Sequence, residues 1–235
     1  MTLPERVRAE GFARLPPAEA AAALGLCPAA LADFAASWAR LEPDNFMADG
    51  GRYRRRRHAN FLALPGEAAH RRGLHRPHFQ ATVHNRLNGG VDRWFAPVEE
   101  AVARHPACEG LLGLGRAVAD SLHPGTPWFV EMHQFRIEAR PSAPGLPTPE
   151  GVHHDGVAVV LIAMIARTNL RGGETLVTDP AGRELARFTL DGLLDLAVLD
   201  DRRVMHGVTP VEPADPALPS CRDVLVLTWQ PAGAG

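Results

Sequence analysis

Two rhythms of apolar and polar positions divide this chain. Over roughly its first forty residues, alanine and leucine recur at helical spacing. Pro17-Ala-Glu-Ala-Ala-Ala-Ala-Leu24 and Pro28-Ala-Ala-Leu-Ala-Asp-Phe-Ala-Ala-Ser-Trp-Ala-Arg-Leu41 each put proline in a first turn and strong helix formers behind it. Asp49-Gly50-Gly51 predicts a turn. The stretch Tyr53 to Leu64 predicts a strand with Tyr53, Arg55 and Arg57 on one face and Arg54, Arg56 and His58 on the other. Asn88-Gly89-Gly90 predicts another turn. Helical spacing returns over residues 97–122, broken at Pro106 and weakened at Gly113 and Gly115.

After Pro127 the rhythm is that of strands. Trp128–Ala139 alternates, and Val152–Arg167, too long for one straight strand, reads as strand, turn and strand. Gly172-Gly173 opens a turn before Glu174-Thr-Leu-Val-Thr178, and Leu193–Leu199, Val204–Val208 and Val224–Trp229 are further strands. Helices first and at least six strands later predict an α+β protein whose antiparallel barrel or sandwich carries the site. No repeat appears. The proline-rich 141–149 and 210–219 stretches read as surface loops, so one domain spans 1–235, with 1–45 a helical N-terminal extension.

Composition narrows the function. Hydrophobic residues make up 46% and charged residues 22%, as in ordinary globular proteins. A net charge of -2 gives no broad footprint for nucleic acid. All 25 basic residues are arginine, which removes any Schiff-base or general-base lysine. Cys27, Cys108 and Cys221 are odd in number, far apart and without a CxxC pair, so neither a disulfide framework nor a cysteine zinc site is indicated. The charged N-terminus does not read as a signal peptide. The longest apolar run, Val157–Ala166, is far short of the roughly 20 residues of a membrane span. The expectation is a cytoplasmic protein with no membrane or nucleic-acid partner; a homodimer remains open.

His153 and Asp155 carry the candidate chemistry. On a strand, residues two apart share a face, so both can ligate one metal while His154 points away. His206 can supply the third ligand. Two imidazoles and one carboxylate leave coordination positions open, the arrangement suited to an Fe(II) oxygenase that binds a bidentate co-substrate and O2 together. With 11 histidines in the chain, an HxD spacing alone carries little weight. Arg222 opens the apolar strand after it and can hold a carboxylate bidentately, as the distal carboxylate of 2-oxoglutarate requires. Taken singly, Arg222 would read as a surface partner of Asp223.

In order, these pieces resemble the 2-oxoglutarate/Fe(II)-dependent dioxygenases: His153-His-Asp155, then Asn169-Leu-Arg-Gly172-Gly173-Glu174-Thr175, then Asp200-Asp-Arg-Arg-Val-Met-His206-Gly-Val-Thr-Pro210, then Arg222-Asp-Val-Leu-Val-Leu-Thr228. More narrowly they are similar to the bacterial branch containing L-isoleucine dioxygenase and related free amino acid hydroxylases. Asp49–Arg57, Phe79–Phe95 and His133–Arg136 extend the resemblance to roughly residues 45–230.

The resemblance implies a double-stranded β-helix (jelly-roll, cupin-like) core over about 125–230 with flanking helices. It implies iron on His153, Asp155 and His206, and 2-oxoglutarate on Arg222, with Thr228 on the same strand face. Succinate and CO2 would be released as a free L-amino acid is hydroxylated. His154 departs from the pattern: alternation favours His153 as ligand, and a bulge at Gly151 would exchange the two.

A zwitterionic substrate needs a buried cation and acceptors side by side. By spacing, Gln134 and Arg136 are candidates, as are Arg167 and Glu174, with Arg55 and Arg57 closing the pocket. Desaturation or sulfoxidation fits the same chemistry. Two other readings compete: an oxygenase acting on a macromolecule gripped by Arg52–Arg57, and a cupin-like metal-binding barrel that does not use 2-oxoglutarate.

Overall fold

The structure, a computed structural model, describes residues 1–47, 50, 52–80 and 89–233. The turns expected around Asp49 and at Asn88 fall wholly or partly outside these residues.

An eight-stranded sheet organises the fold. Its order is Phe12–Leu15, Leu196–Asp200, Val159–Thr168, Ser220–Pro231, Trp128–Ala139, Arg54–Ala63 and Glu42–Pro43, with Arg71–Arg72 also paired to Arg54–Ala63. Every pairing is antiparallel. A three-stranded sheet follows the order Met205–Val208, Glu174–Thr178, Glu184–Thr189, and Val211–Pro213 pairs with Leu170–Gly172.

Alternation along the long strands decides which residues meet which layer. Trp128, Val130 and Met132, with Leu225, Leu227 and Trp229, form one core with the helices. The helix Pro106–Leu122 lies on this face. Gly115 is the contact: a Cβ there would stand 2.1 Å from the Trp229 ring. The opposite parity, Val160, Ile162, Met164 and Val224, packs toward the smaller sheet through Val177, Leu190 and Val204.

The helices Pro17–Leu24 and Pro28–Ala36, the latter running into a 3₁₀ turn at Ser37–Arg40, stand where proline placement predicts them. The break at Pro106 also holds, between Glu100–Ala103 and Pro106–Leu122. Two expectations change. The N-terminal extension is not purely helical, because Phe12–Leu15 adds an edge strand beside Leu196–Asp200. Val152–Arg167 is one long strand from Val159, preceded by a loop. The three cysteines are unpaired.

Candidate active site

The loop before Val159 and the strand Met205–Val208 meet at one point. His153 and His206 form an antiparallel bridge, exchanging N–H···O bonds of 2.9 and 3.0 Å. Gly207 permits this approach, since a Cβ there would lie 3.1 Å from the Gly151 carbonyl oxygen and from Val152. Asp201 ties the following turn to the large sheet: its carboxylate accepts the backbone N–H of Asp155 at 3.0 Å, of Gly156 at 2.8 Å and of Val157 at 3.0 Å. Gly156 has φ +81°, a left-handed conformation that glycine adopts without strain.

These constraints converge three donors. Asp155 Oδ1 lies 3.6 Å from His153 Nε2, and Asp155 Oδ2 lies 3.7 Å from His206 Nε2. The ligand atoms of the three residues are all within 4.8 Å of one another. One ion bonded at about 2.1 Å to each can bridge such separations. His153 Nδ1 donates to the Gly151 carbonyl at 3.0 Å, which fixes the tautomer and leaves the Nε2 lone pair for a metal. Burial opposes charge on His153, but Asp155, Glu150 and the Gly151 carbonyl outweigh it and raise the imidazole to about 9. Burial takes His206 down to about 4. His154 stands outside the group, partly exposed, with Nδ1 3.9 Å from Asp201.

The three donors line a cavity of about 460 Å³. Its wall includes Arg222 and Thr228, both buried. Arg222 is 3% exposed, its Nε has no hydrogen-bond partner, and burial with the nearby charge of Arg167 pushes it down to about 10. Asp223 is not its partner: it faces the other side of the strand and pairs with Arg136 at 2.6 Å.

The six residues read as substrate contacts do not line this cavity. Gln134 and Arg136 carry the helix-side parity of their strand, and Gln134 donates to Ser37 Oγ at 3.0 Å. Arg55 and Arg57 turn away likewise, to Glu138 at 2.7 Å and to the Arg40 and Pro97 carbonyls. Arg167 is held by the Leu170 and Gly172 carbonyls, and exposed Glu174 meets Arg187 at 3.5 Å. The cavity takes their neighbours: Arg54 and Arg56 from one strand, Glu131, His133 and Phe135 from the other. A parity signal was available, because Trp128, Val130 and Met132 are uniformly apolar and belong against helices. The polar parity, Glu131 and His133, must then face the site.

Glu131 organises a second cluster. Its Oε1 accepts from His58 Nε2 at 3.0 Å and from His78 Nδ1 at 2.9 Å, while His133 stacks on His58 at 4.9 Å. Burial pushes all three imidazoles down, while the charges and hydrogen bonds of His78 and His58 hold Glu131 far below the carboxylate range despite its burial. Arg56 donates to His133 Nδ1 at 2.8 Å and packs over Phe95. The ligand atoms of His58, His78, Glu131 and His133 also lie within 4.8 Å of one another, but a guanidinium that close disfavours a divalent ion there.

With the geometry in hand, kinship is informative. The sequence pattern of the family described as 2OG-Fe dioxygenase matches residues 35–228. The chain belongs to that family. Its members use Fe(II), 2-oxoglutarate and O2, so this dioxygenase is an enzyme, and the reading as a barrel that does without 2-oxoglutarate is withdrawn. The dioxygenase is 29% identical over 163 residues to the 3(1)-hydroxy-L-isoleucine 4-dioxygenase of Pantoea ananatis (strain AJ13355), covering 67% of this chain and 65% of that protein. The match thus spans slightly less than two thirds of that relative. The crystal structure of a bsmA homolog from Methylobium petroleophilum PM1 superposes with a TM-score of 0.89 at 40% identity, covering 98% of this chain and 92% of the other. IDO from Bacillus thuringiensis shares the fold at 17% identity, with a TM-score of 0.81 and 97% of each chain covered. The structural neighbours are 2OG-Fe oxygenases with a jelly-roll fold.

Proposed function

We propose that this dioxygenase hydroxylates a free L-amino acid or a similar small metabolite, with iron on His153, Asp155 and His206 and the distal carboxylate of 2-oxoglutarate on Arg222 beside Thr228. The observation that carries the reading is one cavity holding both the convergent His/Asp/His donors and a buried arginine without a carboxylate partner. The antiparallel large sheet and the smaller sheet opposite it serve as the two faces of a double-stranded β-helix, within one domain.

Iron with 2-oxoglutarate and O2 supplies the oxidant, at the expense of decarboxylating 2-oxoglutarate to succinate and CO2. The chain's own residues do the rest. His153 and His206 present Nε2 and Asp155 a carboxylate, leaving room for co-substrate and O2. Arg222 orients the co-substrate from a dry wall, where a charge-assisted bond is strong. Ile162, Val224 and Val226 line the same wall and exclude water from the oxidant.

A small substrate is supported by the cavity volume of about 460 Å³ and by the amino acid named in the Pantoea relative. Most of the arginine run at 52–57 is taken up within the fold: Arg54 and Arg56 are buried, Arg55 pairs with Glu138, and Arg57 lies 3.6 Å from Glu42, which leaves Arg52 exposed.

Anaerobic titration of the Fe(II) protein with 2-oxoglutarate should develop the visible charge-transfer band of the chelate. A panel of L-amino acids under air should then show succinate release and a product heavier by one oxygen. A complex that forms but yields no succinate with any amino acid would overturn the substrate class.

A further inference from the structure

Among the described residues lining the cavity, two buried guanidiniums lack a carboxylate within ion-pair distance, Arg222 and Arg93. The other two buried arginines share Asp44, with Arg54 at 2.6 Å and Arg56 at 3.7 Å. Arg93 is 2% exposed, and its Nε has no partner. Its backbone is pinned by paired hydrogen bonds of 3.0 Å to His78. Its side chain reaches Gln80 Oε1 at 3.5 Å and stands 5.8 Å from the Phe95 ring, while Gln80 Nε2 donates to the Asp155 carbonyl at 3.3 Å. Arg93 therefore stands one glutamine away from the metal-binding loop. A cation buried without a counter-charge is costly unless a ligand brings one.

The complementary charge lies on the same cavity. Glu150 is mostly buried, and its Oε2 has no hydrogen-bond partner. Its Oε1 is 3.6 Å from His153 Nε2, yet Glu150 is not part of the convergent His/Asp/His donor group. Asp44, Glu131 and, least, Glu150 act on the charge of Arg93 through space, but none of them forms an ion pair with it. A guanidinium with no carboxylate at ion-pair distance and a carboxylate with one oxygen unpartnered, on the same cavity, match a ligand carrying both charges on one carbon.

We propose that Arg93 binds the α-carboxylate of the substrate and Glu150 its α-ammonium, so that this pair selects a zwitterionic α-amino acid. The proposal rests on the functional reading above and deepens it. Arg222 and Arg93 then divide the two carboxylates between them, co-substrate on one and substrate on the other. Gln80 keeps the Arg93 end in register with Asp155.

The test uses the Fe(II) enzyme with 2-oxoglutarate, a panel of L-isoleucine, L-leucine, L-valine and L-methionine, and for the best of these its carboxamide and its des-amino acid. Loss of one charge-assisted contact weakens binding by about tenfold to a hundredfold. Wild type should discriminate against both analogues by at least that much. Arg93→Gln should raise KM for the amino acid by a similar factor and erase the preference over the carboxamide. Glu150→Gln should erase the preference over the des-amino acid. Both variants should keep the 2-oxoglutarate charge-transfer band, which also certifies folding. Arg93→Lys, charged but without the fork, should fall between wild type and Arg93→Gln. Unchanged KM and discrimination in Arg93→Gln overturn the proposal alone, as does loss of the band in Glu150→Gln, which would make Glu150 a metal ligand. A wild-type complex that turns over no amino acid overturns the functional reading and this one with it.

Discussion

His153 and His206 sit opposite each other as a hydrogen-bonded antiparallel pair, so their rings lie on one face with centroids 4.8 Å apart. Backbone pairing thus presets the distance between two donors far apart in sequence, before any metal arrives. His154, one residue along, necessarily leaves that face. His153→Ala and His206→Ala should each weaken Fe(II) binding by about a hundredfold or more, while His154→Ala should stay within about threefold of wild type. Anaerobic Fe(II) titration checks this, and equal losses at His153 and His154 would refute the assignment.

Arg222 should separate co-substrate binding from iron binding. Arg222→Ala removes a buried charge-assisted contact worth about 1.5–3 kcal/mol, so KM for 2-oxoglutarate should rise roughly tenfold to a hundredfold with Fe(II) affinity unchanged. Arg222→Lys keeps the charge but not the bidentate fork and should recover only part of the loss. A parallel fall in iron affinity would count against the role.

How the site escaped the sequence is as instructive as how it showed. The metal donors were legible because HxD alternation survives even where His153 is a lone bridge and Asp155 lies on a loop. Arg222 and Thr228 were legible because one strand keeps both on one face. The cavity wall differs from the expected substrate contacts by a single residue of register: it takes His133 and Phe135 where Gln134 and Arg136 were expected, and Arg54 and Arg56 where Arg55 and Arg57 were. Arg93 and Glu150 had no local signal, since only the tertiary fold brings their loops to the cavity.

The register correction is testable at Arg136, whose partner Asp223 is 3% exposed on its side chain. Arg136→Ala should leave KM for amino acid and 2-oxoglutarate unaltered while destabilising the fold by about 2–4 kcal/mol, because it strands a buried carboxylate. Urea unfolding and steady-state kinetics on the same preparation decide it. A raised KM with unchanged stability would restore Arg136 to the site.

Asp201 belongs neither to the His/Asp/His donor group nor to the cavity lining, yet it holds three consecutive N–H groups of the loop bearing Asp155. Asp201→Ala leaves those donors without their acceptor, at a cost of about 2–4 kcal/mol, and frees Asp155 from its position. The expected result is a fall in melting temperature of roughly 5–10 °C together with a tenfold to hundredfold loss of Fe(II) affinity. Asp201→Asn retains one acceptor oxygen and should recover part of both. Full iron affinity in Asp201→Ala would show that the loop holds its shape unaided.

Away from the site, His70 gives the fold a pH dependence of known sign. Its Nε2 is enclosed without a partner, and burial together with the charge of Arg116 pushes the imidazole down to about 4. The unfolded chain takes up this proton near 6.5, so below that pH the unfolded state binds more protons than the folded one. Stability is therefore fully present above about 6.5 and is lost as pH falls toward 4. The unscreened value would be about 3 kcal/mol; the partial exposure of the ring reduces it to about 1–2 kcal/mol. His70→Gln cannot take up the proton, so its stability loss between pH 7 and pH 5, measured by urea unfolding, should be smaller than that of wild type. Identical losses in the two proteins would remove His70 as a source of the acid sensitivity.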